Sequence, residues 1–131
     1  MSPEVIGRCL VTAFFAVVFL QSALDKLTDS QGNLEFLLGH FKNSPFSGEM
    51  VRRMFWALTA LEAGAGILCG LGVLFGSFRS PGPSLASAGL GVAGLALLSL
   101  IVGQRFAKDY AGAAVVAAYF AVLLIGLGFF T

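Results

Sequence analysis

The sequence predicts an all-α integral membrane protein, an antiparallel four-helix bundle with a short amphipathic surface helix between helices 1 and 2. Three observations carry this prediction. Of the 131 residues, 57% are hydrophobic and only 11% are charged, whereas about 25% of a soluble domain is charged. Four apolar segments are each about 20 residues long, the length a helix needs to cross a bilayer. Short connections join most of them, which favours antiparallel neighbours.

We expect one domain over residues 1–131, with spans at about 5–27, 54–75, 85–102 and 110–130. The first segment lacks a strongly basic start and a small-x-small cleavage site, so we interpret it as a retained span rather than a signal peptide. Four crossings place both termini on one face of the membrane, here called the terminal face. The connections 26–53 and 103–109 lie on the other face.

A surface helix is predicted within the first connection. Leu34, Leu37, Leu38 and Phe41 follow an i, i+3, i+4, i+7 pattern, which puts them on one helical face. The segment is too short to span, so we expect it to lie along the membrane surface. Residues 28–33 are rich in turn-forming types and are predicted to precede this helix as a turn. His40 is expected to be solvated or interfacial.

Small residues and arginines give further expectations for the spans. The pairs Gly66/Gly70 and Gly72/Gly76 are each spaced for close helix contact. Arg8 and Arg79, at the terminal face, are expected to reach lipid head groups as interfacial anchors. Cys9 and Cys69 lie at similar depths on adjacent spans, where they either meet or simply pack as small apolar residues.

Glu62 is the one charged residue well inside a span. At about 1.5 Å per residue it lies about 10 Å in from Phe55. An ionised carboxylate at such depth costs about 2.5–3.5 kcal/mol even on lenient insertion scales, so it normally faces a partner charge, another helix or a wet cavity. We therefore expect the rest of the chain to supply a partner for Glu62.

Polar residues gather near the non-terminal face. Gln21 and Asp25 share one side of the first span, as do Ser22 and Lys26, because each pair is four residues apart. The sequence thus predicts a polar pocket with Glu62 at its floor. The other predicted pocket residues come from the first and fourth spans: Ser22, Asp25, Lys26, Lys108 and Asp109.

The same face also carries most of the positive charge, and we call it the basic face. Two of the eight basic residues, Arg8 and Arg79, belong to the terminal face. The other six belong to the basic face: Lys26, Lys42, Arg52, Arg53, Arg105 and Lys108. The positive-inside rule would place this face in the cytoplasm.

Five short stretches, in order along most of the chain, resemble the DoxX family of small four-helix membrane proteins. They are Gly7–Arg8, Phe19–Leu27, Leu61–Gly64, Gly76–Arg79 and Phe106–Asp109. The resemblance implies the fold and a link to quinone chemistry, because the family includes the membrane subunit of a thiosulfate:quinone oxidoreductase and relatives associated with membrane redox complexes. Many members have no assigned activity, so the resemblance leaves open whether this chain is an enzyme.

Two functions follow as expectations. The first is an integral, multi-pass subunit of a bacterial inner (cytoplasmic) membrane that serves a quinone-coupled redox complex. Glu62 is then the candidate catalytic residue, as proton acceptor or hydrogen-bond partner of a quinone head group, with Lys26 and Lys108 polarising a bound oxygen or anion. The alternative is a non-catalytic accessory subunit that stabilises a larger membrane assembly. In that case Glu62 is a structural group paired with Lys26, Lys108 or Ser22.

The sequence also indicates which cofactors and partners to expect. We expect no cofactor of the chain's own, with a quinone as the candidate ligand, and no metal, since no cluster has metal-ligand spacing. No histidine lies in a span, which argues against a haem held by two histidines. The expected partners are the lipid bilayer and other membrane subunits; a net charge of +1 argues against nucleic acid.

Overall fold

The computed structural model describes all 131 residues and consists of five α-helices without strands. The helices are α1 (Pro3–Thr28), α2 (Ser30–His40), α3 (Gly48–Leu74), α4 (Leu85–Phe106) and α5 (Tyr110–Gly128), with a 3₁₀ turn at Ser77–Arg79 between α3 and α4. Every helix except α2 is long and apolar enough to cross a bilayer. The predicted all-α fold with four membrane spans is confirmed, and the chain is a multi-pass membrane protein.

Each spanning helix begins at a residue whose side chain accepts a backbone hydrogen bond from the first turn. Ser2 caps α1, with Pro3 at the first helical position. Ser47 caps α3 and accepts from Met50 N, so α3 begins at Gly48, six residues before the predicted 54. Ser84 caps α4 and Asp109 caps α5. These residue types satisfy backbone N–H groups that the helix itself leaves free.

The predicted turn at 28–33 is wrong, because α2 begins at Ser30 and only Asp29 separates it from α1. The polar residues of this stretch serve as caps. The Asp29 side chain accepts a hydrogen bond from Gly32 N at 3.2 Å. Asn33 Nδ2 donates to the carbonyl oxygens of Asp25 and Asp29 at 3.2 and 2.8 Å. The surface helix itself is confirmed, although Phe41 lies just beyond its end.

The order of the spans around the bundle determines which polar groups can meet. The helix α3 packs along both α1 and α4, while α5 packs on α4 and touches α1. The helices α1 and α4 also touch each other, whereas α3 and α5 make no contact. The bundle is therefore flattened, with α3 and α5 at opposite ends of its long diagonal, and α2 packs against α3 and the end of α1.

Two glycines allow α3 to approach its neighbours closely. A Cβ on Gly66 would lie 2.8 Å from Leu20 N of α1, and a Cβ on Gly89 of α4 would lie 2.7 Å from Cys69 N of α3. Both distances are to backbone atoms, which have little freedom to move aside. Gly66 thus makes the close contact that its spacing predicts. Cys69 is fully buried in the core and, like Cys9, is a free thiol.

We expect Gly89→Ala to destabilise the bundle by about 1–3 kcal/mol, because the added methyl group overpacks the α3–α4 contact. Gly91→Ala is the matched control on the same helix, since nothing lies within 4 Å of a Cβ added there. The measurement is the free energy of unfolding in mixed micelles with increasing dodecyl sulfate, followed by circular dichroism. Equal stability of the two variants would contradict the close approach of α3 and α4.

Candidate functional site

A buried charged cluster joins α1 to α3. The Glu62 side chain is 2% exposed, and the Ser22 hydroxyl donates a hydrogen bond to its Oε2. Lys26 Nζ lies 2.9 Å from Glu62 Oε1 and donates a hydrogen bond of 2.9 Å to Ser22 Oγ. Ser22 and Lys26 share a side of α1, as their spacing predicts. We call these three residues the Glu62 cluster.

Charge attraction, rather than a well-directed hydrogen bond, holds the second carboxylate oxygen. Oε1 is buried and accepts no hydrogen bond of acceptable geometry, although the Lys26 ammonium is within ion-pair distance of it. An isolated carboxylate inside the bundle would be very unfavourable, so the Lys26 charge is what makes this position tolerable. The cluster therefore fastens α1 to α3.

The other three predicted pocket residues do not join this cluster, so the expectation of one polar pocket is wrong. Asp25 is exposed, because it lies one residue, or about 100°, around α1 from Lys26. Lys108 is exposed and has a left-handed backbone, with φ of 60°, in the turn between α4 and α5. Asp109 caps α5. Since α5 does not contact α3, neither Lys108 nor Asp109 faces Glu62.

A separate cavity of about 610 Å³ lies beneath α2, between α3 and α4. We call it the α2 cavity. Its wall is mostly apolar and includes Leu37, Phe41, Met54, Leu58, Leu61 and Leu98. From Met54 to Leu61 it extends about 10 Å along α3. Glu62 is not among its lining residues. The lining side chains Phe36, Leu98 and Val102 are exposed on the outer surface, so the cavity opens toward the lipid.

One end of the α2 cavity is polar. His40 Nε2 lies 3.4 Å from Asp109 Oδ2, and the imidazole is stacked on Phe36 with 5.7 Å between ring centroids. Asp109 Oδ1 accepts a hydrogen bond from Gly112 N at 2.9 Å, which fixes the carboxylate. The expectation of a solvated or interfacial His40 did not include these contacts with Phe36 and Asp109. The only sequence signal was that His40 follows Phe36 by four residues and so shares its helical side.

Two further polar side chains line this cavity. Gln104 Oε1 is buried and accepts no hydrogen bond. The Ser99 hydroxyl donates to Leu95 O at 2.9 Å. Together with His40 and Asp109, they make the α2 cavity an apolar chamber with a few polar groups, the usual composition of a small-molecule site.

Arg8 is buried at the terminal face, so the expectation that it anchors in lipid head groups is wrong. Its side chain is 6% exposed. The guanidinium donates to the carbonyl oxygens of Phe78, Phe129 and Arg79 at 2.6, 2.8 and 2.9 Å. It thereby ties α1 to the 3₁₀ turn and to the end of α5. Arg79 is exposed, as an interfacial anchor would be.

Comparisons with protein-family models, with curated proteins and with solved structures find no match to this chain. The resemblance to the DoxX family therefore rests on short motifs. Of these, the motif Phe19–Leu27 contains Ser22 and Lys26, and the motif Leu61–Gly64 contains Glu62. The chain therefore has two candidate sites, the enclosed Glu62 cluster and the α2 cavity, which opens at the surface of the bundle.

Proposed function

We propose that this chain is a quinone-binding subunit of a membrane redox assembly, and that the quinone occupies the α2 cavity. The head group lies toward His40 and Asp109, and the tail leaves between α3 and α4. The observation that carries this proposal is an apolar cavity that opens to lipid and ends in a histidine–carboxylate pair. A membrane-soluble molecule with one flat polar end matches that arrangement.

The dimensions of the cavity support a ligand of this class. Small-molecule sites usually have volumes of about 300–1,000 Å³, and the α2 cavity, at about 610 Å³, lies within that range. Its aromatic wall, with Phe36 and Phe41 beside His40, suits a planar ring. The exposed side chains Leu98 and Val102 border the opening, so the ligand enters from the bilayer.

Proton chemistry at the polar end also favours a quinone. A quinol releases two protons when it is oxidised, and a histidine beside a carboxylate is a suitable acceptor for one of them. Asp109 stabilises the imidazolium that would form. In this proposal the Glu62 cluster holds α1 against α3 rather than contacting the head group, since it is enclosed and outside the cavity. The two electrons that the quinol releases in this oxidation pass to a partner subunit.

We propose a bacterial inner membrane as the location, and the distribution of exposed charge supports an orientation with the basic face in the cytoplasm. Arg8 is buried and Lys26 is paired with Glu62, so neither contributes to the surface charge of its face. Arg79 alone remains exposed at the terminal face. Five basic residues are exposed at the basic face: Lys42, Arg52, Arg53, Arg105 and Lys108. The positive-inside rule favours that orientation.

Quinone binding by the purified chain in lipid nanodiscs tests the proposal. We expect a decyl-substituted dimethoxybenzoquinone to bind, and Ala57→Trp to weaken binding at least about tenfold, because the indole would occupy the opening that Ala57 borders. Ala57 is exposed, so a larger side chain there leaves the core intact. Leu95→Trp is the control, since Leu95 is 55% exposed and lies outside the cavity.

Binding that Ala57→Trp leaves unchanged would place the quinone elsewhere. A chain that binds no quinone, yet is isolated only with a larger complex that it stabilises, would favour the accessory-subunit function instead. In that case Glu62→Gln would leave the activity of the complex intact.

A further inference from the structure

Ser99 and Asp109, which line the α2 cavity, have no free hydrogen and present lone pairs. The Ser99 hydroxyl donates its hydrogen to Leu95 O, so its oxygen is left as an acceptor. The Asp109 carboxylate has no hydrogen to offer, and its Oδ1 already accepts from Gly112 N. A ligand that approaches these two groups has to bring the hydrogen itself.

The imidazole of His40 also offers a ligand an acceptor rather than a hydrogen. Its Nε2 faces Asp109 Oδ2 at 3.4 Å. A carboxylate oxygen only accepts, so we assign the hydrogen of the neutral ring to Nε2, the nitrogen closer to Asp109. The other ring nitrogen, Nδ1, is then an acceptor and has no partner within the chain. Asp109 thus selects which hydrogen-bonding character His40 offers to a ligand.

Gln104 adds a buried acceptor that has no donor. Its Oε1 accepts no hydrogen bond, while its amide nitrogen is directed toward the start of α5, where a Cβ on Gly112 would lie 2.8 Å from it. A buried carbonyl oxygen without a donor is unfavourable. A small turn of the terminal amide toward the cavity would allow a ligand hydroxyl to relieve this.

We infer that the α2 cavity selects a head group that carries hydroxyl hydrogens, so that within the quinone class it binds the reduced hydroquinone more tightly than the oxidised quinone. This inference rests on the proposed function. Both quinone oxygens are acceptors and would face acceptors, whereas a hydroquinone has two hydroxyl groups that can donate to His40 and to Gln104 or Ser99. A site that is built to hydrogen-bond a hydroxyl rejects the analogue that lacks it.

The midpoint potential of the bound quinone measures this preference directly. We expect the hydroquinone to bind about tenfold more tightly, which raises the two-electron midpoint potential by about 30 mV. The experiment is an anaerobic redox titration of the decyl-substituted dimethoxybenzoquinone in nanodiscs, with and without the protein. Protein-free nanodiscs supply the reference potential.

Asp109→Asn tests the origin of the preference. An asparagine oxygen can still cap α5, but its amide can donate to His40 Nε2. The imidazole would then carry its hydrogen on Nδ1 and offer the ligand a donor, so the upward shift should be lost. Asp25→Asn is the matched control, because it removes the same charge at the basic face from an exposed residue outside the cavity.

The outcomes separate this inference from the proposed function. A raised potential in the unchanged protein and in Asp25→Asn, lost in Asp109→Asn, supports it. An unshifted or lowered potential with demonstrable quinone binding overturns the preference and leaves quinone binding intact. Failure of both redox forms to bind overturns the proposed function and this inference with it.

Discussion

Replacing Lys26 with methionine should destabilise the bundle by about 3–5 kcal/mol, since Glu62 would remain inside without a counter-ion. Glu62 is 2% exposed, and Lys26 is the only cation within ion-pair distance of it. The Ser22 hydroxyl would still donate to Oε2, but a neutral donor does not offset a whole negative charge. The measurement is the free energy of unfolding in mixed micelles with dodecyl sulfate.

The double variant Lys26→Met/Glu62→Leu should recover most of this loss. Replacing both members of a buried ion pair with apolar residues is often neutral or stabilising. Arg53→Met is the control, because it breaks the exposed Arg53–Glu49 pair, in which both side chains are largely in solvent; such pairs contribute little. A double variant as unstable as the single one would show that the Lys26–Glu62 interaction is not what the single change removes.

The double variant also bears on function. Our proposal places the ligand in the α2 cavity, so a stable double variant should retain quinone binding. If Glu62 instead contacts the head group, the double variant will fold normally and lose the ligand. Stability and binding measured on one protein therefore separate a structural role for Glu62 from a role in ligand contact.

The spans and the shared side of Ser22 and Lys26 on α1 were predictable because they depend on local spacing, whereas the sequence left Lys26, Lys108 and Ser22 open as partners of Glu62. Apolar length gives the spans, and the four-residue separation of Ser22 and Lys26 puts both on one side of α1. The failure of Lys108 and Asp109 to join them has a non-local cause. Which spans face each other depends on packing around the whole bundle, and a flattened arrangement separates α3 from α5.

The α2 cavity was not predictable for a similar reason. Its polar end joins His40 of α2 to Asp109 at the start of α5, and its wall comes from α3 and α4 as well. Nothing in the local pattern around His40 indicates which later segment will lie beside it. The α2 cavity exists because Asp29 turns the chain back immediately after α1, so that α2 covers the ends of other spans rather than extending over the lipid.

The second large effect is expected at Arg8. Arg8→Ala should lower the free energy of unfolding by about 3 kcal/mol or more. Three carbonyl oxygens lose their donor at once, that of Phe78 in a buried hydrogen bond and those of Phe129 and Arg79 in partly buried ones. A buried carbonyl left without a partner costs about 1–3 kcal/mol. The carbonyls belong to the 3₁₀ turn and the end of α5, where helix dipoles favour a positive charge. Unfolding in mixed micelles measures the loss, and proteolysis should show the ends of the chain opening first.

Arg79→Ala is the matched control for Arg8→Ala, because Arg79 contributes its backbone carbonyl, which the substitution retains. Its exposed side chain only lies over the Phe78 ring. Arg8→Lys should fall between the two, since one ammonium cannot reproduce the planar fork of the guanidinium. If Arg8→Ala and Arg79→Ala were equally stable, Arg8 would be no more than an interfacial anchor. Apolar packing alone would then hold α1, the 3₁₀ turn and the end of α5 together at the terminal face.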